Sequence, residues 1–184
     1  MKLVDMALLE ILKYPDPILK NAAAPVEVVT AETVRLIQDM VETMYRAPGV
    51  GLAAPQVGVS RRIIVLDTDH ENPGKNLLKL INPEIRRTEG EVMWEEGCLS
   101  VVDFTVEIKR AANVLIVALN DKEQEVSLDA EGLLAVALQH EIDHLNGKLI
   151  IDHVSRLKRD LYSRRLKKMV RSGKPQPETA RLMI

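Results

Sequence analysis

The pentapeptide His140-Glu141-Ile142-Asp143-His144 lies in an apolar run from Leu133 to Leu145, and this setting constrains the chain more than any other feature. The periodicity predicts a helix from about Glu131 to Asn146, with Gly147 at its C′ position. Leu133, Val136, Ala137, His140 and His144 share one face; Leu134, Leu138, Ile142 and Leu145 form a second apolar row. A helix apolar on most sides has to be wrapped by other elements. Histidines at i and i+4 stand one turn apart, a spacing suited to a single metal ion. Glu141 lies about 100° around the helix from His140 and about 60° from His144, so it can lean over a water at such an ion. Asp143, on the opposite flank, suits a salt-bridge role. The alternative, two imidazoles merely packed in a core, is costly without a shared partner, and the chain has only four histidines.

The elements that do the wrapping are legible in part. A first helix is expected from about Ala31 to Arg46, with Thr30 as N-cap, Pro48-Gly49 as the stop, and Val34, Ile37, Val41 and Met44 as its buried stripe. Strand signals follow at Arg62–Asp67, Leu77–Asn82, Thr105–Lys109, Asn113–Leu119 and Glu125–Leu128, with a turn at Asn120-Asp121. Tyr14-Pro15-Asp16-Pro17 marks an N-terminal loop. A last helix is expected from about Ser155 to Ser172. This order predicts an α+β fold: bent, mostly antiparallel sheets around the central HExxH helix, with an N-terminal and a C-terminal helix. No repeat or linker divides the 184 residues, so one domain is expected, with a core over about 8–152 and a mobile tail over 173–184.

Composition limits the function classes. With 46% hydrophobic and 28% charged residues and no run near the ~20 apolar residues of a membrane span, the expectation is a cytoplasmic globular protein without membrane association. The first residues lack a signal-peptide pattern. The single cysteine, Cys98, excludes an intrachain disulfide. The net charge of −2 hides an asymmetry: Ser155–Lys174 holds nine Lys or Arg against one acid, a net +8, which leaves −10 on the rest. Such a basic helix is either a solvated face or a surface for an anionic partner such as RNA.

A catalytic metal site takes three protein ligands and keeps one position open. Cys98, in Glu96-Gly97-Cys98-Leu99-Ser100, offers the one thiolate; an acidic residue elsewhere is the alternative, as in thermolysin-like peptidases. Gly49-Val50-Gly51-Leu52-Ala53-Ala54-Pro55-Gln56-Val57-Gly58 reads either as a flexible loop or as a small-residue wall with Gln56 pointed at a substrate. It lacks the Lys-Ser/Thr ending of a phosphate loop. A closed structural metal site would need a fourth protein ligand, and none is evident.

GVGLAAPQ, EGCLS and HEIDH, in that order, resemble the three motifs of the peptide deformylases, and the resemblance runs from about Leu8 to Asp152. Carried over residue by residue, it implies Cys98, His140 and His144 as metal ligands and Glu141 as catalytic acid/base. Gln56 and the Leu99 N–H would stabilise the oxyanion, and Gly51 would hold the substrate chain. Trp94, Leu133, Val136 and Ala137 would line the methionine pocket, with Arg110 and Glu96 as a supporting ion pair. The resemblance implies Fe²⁺ as the working ion, while one thiolate and two imidazoles also suit Zn²⁺, Ni²⁺ or Co²⁺. The implied reaction is hydrolysis of the N-formyl group from the formylmethionine of nascent polypeptides, by a monomer. The basic helix, with Tyr162, Leu166, Met169 and Val170 inward, would then contact ribosomal RNA, and truncation after about residue 154 is expected to spare small-peptide hydrolysis. Val101-Val102 and Thr105 depart from the family's usual residues after EGCLS and are expected to alter one wall of the peptide channel.

Overall fold

The computed structural model describes residues 7–69 and 71–171. Helix α1 spans Ala31–Arg46, as the capping signals predict. The Thr30 hydroxyl accepts from the Thr33 N–H, and the Thr33 hydroxyl accepts from the Thr30 N–H, which satisfies donors a helix start leaves free. Ile37, Met40 and Met44 form its buried face; Val34 and Val41, expected in that stripe, are half-buried.

Seven strands are present among the described residues: β1 (Gly51–Ala53), β2 (Ile63–Leu66), β3 (Leu78–Glu89), β4 (Val92–Cys98), β5 (Val101–Arg110), β6 (Asn113–Leu119) and β7 (Glu125–Glu131). An antiparallel five-stranded sheet runs β1-β2-β3-β6-β7, and β4 with β5 forms a separate antiparallel hairpin. With helices α2 (Gly132–Leu145) and α3 (Arg156–Arg171), the chain is α+β.

Two strands, β1 and β4, were not expected from the sequence, and β3 runs well past the expected end at Asn82. Pro83 lacks the N–H a ladder needs. The strand absorbs it with a register shift between Ile81 and Glu84. Asn82 adopts a left-handed φ of 51°, and its side chain bonds both the N–H and the carbonyl of Val26 at 2.8 Å.

Strand β2 explains how the helices are held. Ile64 and Leu66 join the cluster containing Val136, Leu138 and Ile142 of α2. Ile63 and Val65, on the opposite face, join Ile37, Met40 and Met44 of α1. A strand covered on both faces reads as an unbroken apolar run, which is what Ile63–Leu66 shows. Helix α2 is buried from Ala135 to Ile142. Its exit is fixed at Gly147, whose φ is 70° and where a Cβ would stand 2.6 Å from the Lys20 carbonyl oxygen.

A third cluster joins Cys98, Leu19, Val101, Ile108 and Leu149–Ile151 to Tyr162 and Leu166 of α3. The Tyr162 hydroxyl donates to the Val102 carbonyl at 2.8 Å. The basic helix is therefore seated against the segment that carries Cys98, so truncation after residue 154 would open this cluster. Loss of α3 is therefore expected to disturb hydrolysis as well, in contrast to the expectation from the sequence. The side chains of Met169 and Val170 and the tail after Gly173 lie outside the described residues. No helix among the described residues is long and apolar enough to cross a membrane.

Candidate functional site

Helix α2 presents His140 and His144 on its sheet-facing side, and their Nε2 atoms lie 3.2 Å apart. Cys98 closes the group from the end of β4, with Sγ 3.2 Å from His144 Nε2. All three donor atoms lie within 4.8 Å of one another and all three residues are buried. Two nitrogens bound to one tetrahedral ion at ~2.0–2.1 Å would stand roughly 3.3 Å apart, close to this spacing. The sulfur of the distant loop and the two rings of the helix thus meet at one point.

The protonation states suit metal binding. His140 Nδ1 lies 2.8 Å from Glu96 Oε2, which assigns its proton to Nδ1 and leaves the Nε2 lone pair facing inward. Burial, then the neighbouring His140, holds His144 well below the usual histidine range, so its ring stays neutral. Burial pushes the Cys98 thiol up to about 12, against hydrogen bonds to the sulfur from the Ser100 and Val101 N–H groups. A cation among these donors would reverse that preference and favour the thiolate. The donor set therefore fits a borderline-soft divalent ion.

Glu141 is fully buried, and among the described residues neither carboxylate oxygen has a hydrogen-bond partner; the same is true of His144 Nδ1. Burial, then the charge of Glu96, raises the Glu141 pKa well above the ordinary carboxylate value. An unpaired buried carboxyl is expensive and here is held beside the three donors. Its carboxylate packs on Gly51 of β1, where a Cβ would lie 2.4 Å from Oε1. Only a glycine lets the strand come this close.

Gln56 belongs to the short 3₁₀ turn Ala54–Val57. Its Oε1 accepts from the Ala53 N–H at 2.8 Å, and its Nε2 donates to Ser100 Oγ at 3.2 Å and lies 3.9 Å from Cys98 Sγ. The small-residue segment is thus ordered, and its amide reaches the same point as the sulfur. Leu99 follows Cys98 in the β4–β5 turn, its side chain buried beside Leu52 and Met44. Trp94, Leu133, Val136 and Ala137 share one apolar cluster, the first two half-buried and the last two fully buried.

Behind the donors runs a charged network. Arg110 Nε and Nη2 donate to the two oxygens of Glu96 at 2.7 and 2.9 Å, and Nη1 donates to Asp143 at 2.6 Å. Burial raises the Asp143 pKa, but hydrogen bonding with His153 at 3.0 Å and the Arg110 charge outweigh it and hold the group at about 2. Asp143 thus carries the salt-bridge role its position on α2 predicted. The bond that His140 Nδ1 donates to Glu96, the Ser100 hydroxyl that orients Gln56 and the outer partner His153 were not foreseen. The residues Glu96 and Ser100 stand within EGCLS, but neither partner lies near in sequence.

In the β4–β5 hairpin, Thr105 is exposed and pairs with Gly97. Val102 is buried under Tyr162.

Comparison with known proteins places this arrangement. The family model described as polypeptide deformylase matches residues 8–160. A peptide deformylase of Thermodesulfovibrio yellowstonii is 51% identical over 162 residues, 88% of this chain and 98% of that protein. The crystal structure of a peptide deformylase from Legionella pneumophila superposes with a TM-score of 0.85 at 45% identity, covering 93% of this chain and all of that one (100%). A Met-Ala-Ser-bound structure of the peptide deformylase from Acinetobacter baumannii gives a TM-score of 0.75 at 35% identity, over 81% of this chain and 99% of that one. With the fold, the Cys/His/His group and relatives of this closeness in agreement, the chain belongs to the peptide deformylase family of metallohydrolases.

Proposed function

We propose that this chain removes the N-formyl group from the N-terminal formylmethionine of nascent polypeptides and releases formate. The observation that carries the reading is the buried group of Cys98, His140 and His144 with the unpaired Glu141 carboxyl beside it. Those three side chains would hold one divalent ion, Fe²⁺ by family resemblance, with Zn²⁺, Ni²⁺ or Co²⁺ chemically admissible. When bound, the ion supplies Lewis acidity, which eases deprotonation of water and polarises a carbonyl oxygen. Glu141 takes the proton of the attacking water and delivers it to the amine as the C–N bond breaks. Gln56 Nε2 and the Leu99 N–H donate to the oxygen on which charge develops. Gly51 lies on β1, the end strand of the five-stranded sheet among the described residues, and lets the substrate backbone approach and pair there. Trp94, Leu133, Val136 and Ala137 give the methionine side chain an apolar seat. A formyl carbon carries only hydrogen beyond the carbonyl, so a tight end wall admits it and rejects a preceding residue.

The test uses anaerobically purified, iron-loaded protein. Formate release from formyl-Met-Ala-Ser, with no cleavage of unformylated Met-Ala-Ser, is expected. Cleavage of unformylated peptides at a similar rate would favour an endopeptidase. Glu141→Ala should keep the metal and lose turnover; retained turnover overturns the acid/base role.

The reading extends to a cytoplasmic monomer working near the ribosome. Arg164, Lys167 and Lys168 are exposed on α3 while Tyr162 and Leu166 face inward, so the helix offers a cationic outer face for RNA. The triple variant Arg164→Glu/Lys167→Glu/Lys168→Glu should weaken ribosome binding and flatten its salt dependence while sparing hydrolysis of short peptides. Unchanged ribosome affinity would end this extension.

A further inference from the structure

The N-terminal segment Leu12–Tyr14 crosses both loops that carry the proposed oxyanion donors. The Leu12 N–H donates to the Gln56 carbonyl at 2.7 Å, and the Tyr14 N–H donates to the Ser100 carbonyl at 2.8 Å. Between them, Lys13 Nζ donates to the Leu99 carbonyl at 2.6 Å. The first and third ties use backbone groups and would survive most substitutions. The middle tie depends on the side chain.

A partly buried ammonium is a costly way to satisfy one carbonyl. Burial lowers the Lys13 pKa, and the proximity of Cys98 opposes this. Leu12 and Tyr14 pack onto the cluster holding Cys98, so an apolar residue between them would seat the segment without that cost. What the ammonium adds is a fixed direction for the peptide that follows Leu99. With the Ser100 carbonyl also held, rotation of the Cys98–Ser100 turn is blocked from both sides.

We propose that Lys13 is a positioning residue: its ammonium locks the Cys98–Ser100 turn and thereby aims the Leu99 N–H at the developing oxyanion. This rests on the deformylase reading above. Lys13 is not one of the metal donors; it acts through the Leu99 carbonyl.

The test compares the full-length, metal-loaded parent with Lys13→Met and Lys13→Arg. Three quantities are read: kcat and KM for formyl-Met-Ala-Ser, metal content, and hydrogen–deuterium exchange of the 98–101 amides without substrate. Lys13→Met should keep its metal and its KM, lose about tenfold or more in kcat, and exchange the Leu99 amide faster. Lys13→Arg, which restores a cationic donor, should recover most of both. A Lys13→Met variant with the parent's kcat and exchange overturns the proposal. So does a loss of kcat matched by loss of metal and not recovered by arginine, because that marks a purely structural tie. If the parent itself releases no formate, the functional reading falls instead, and the exchange measurement still decides whether Lys13 holds the turn.

Discussion

Substituting alanine for Gly51 adds one carbon at a point 2.4 Å from Glu141 Oε1, 2.9 Å from its Cδ and 3.0 Å from its Cγ. Cβ atoms essentially never approach another heavy atom closer than 3.0 Å, so the carboxylate has to retreat by at least 0.6 Å, and by 1.0 Å to reach ordinary contact at 3.4 Å. Helix α2 cannot shift as a whole to allow this, because it is buried from Ala135 to Ile142. The movement falls on the side chain of Glu141. A misplacement of about 1 Å in a catalytic constellation costs up to ~100-fold in rate, equivalent to about 2.7 kcal/mol of barrier. Gly51→Ala should therefore lower kcat for formyl-Met-Ala-Ser by about one to two orders of magnitude. The atoms nearest the added carbon all belong to Glu141, which is not one of the donors, so metal content should equal that of the parent. Gly51 has no left-handed φ, so alanine is conformationally admissible and the fold should persist. Steady-state kinetics, metal analysis and a thermal melt on one preparation make the comparison. A kcat within twofold of the parent would refute the claim that Glu141 must occupy this position.

Other outcomes follow from the packing. Arg110→Met leaves Glu96 and Asp143 without their shared guanidinium and should cost about 3–5 kcal/mol in urea unfolding; a loss under about 1 kcal/mol would show the network is dispensable. Gly147→Ala forces a left-handed φ of 70° on an L-residue and drives its Cβ against the Lys20 carbonyl, so a loss above about 1–2 kcal/mol is expected. Asp152 has a folded pKa below its ordinary 3.8: burial raises it, but the Lys20 and Leu149 N–H bonds and the Arg159 charge outweigh burial. Its contribution is complete above that ordinary value and is lost as pH falls through the folded one. Asp152→Asn should thus be less stable than the parent at pH 7, and the gap should close in acid; a gap that widens in acid would contradict the assignment.

The HEIDH helix was legible because both its periodicity and its two imidazoles declare themselves over one turn. Helix α1 was legible because Thr30 and Pro48-Gly49 punctuate it. Strand β4 was not. Its inward residues Val92, Trp94, Glu96 and Cys98 include a carboxylate that is buried because Arg110 pairs with its charge and His140 hydrogen-bonds to it, both from other elements. A pattern that expects apolar alternation passes over such a strand. Strand β3 was cut short at Pro83 because what carries it past the proline is a register shift in its pairing with β6 and an Asn82 side chain bonded to Val26, 56 residues away in sequence. The residue types around the donors and the Arg110–Glu96 pair were named from motifs and resemblance, but the bonds that reach across elements, His140 to Glu96 and Gln56 to Ser100, were not. Lys13 meets a backbone carbonyl, and a backbone acceptor leaves no trace in the sequence.

X-ray absorption at the zinc edge of zinc-loaded protein tests most directly whether Cys98, His140 and His144 share one ion. One sulfur at about 2.3 Å and two nitrogens at about 2.0–2.1 Å are expected, with the sulfur lost in Cys98→Asp. A spectrum of the parent without a sulfur neighbour would contradict the arrangement on which the proposed chemistry depends.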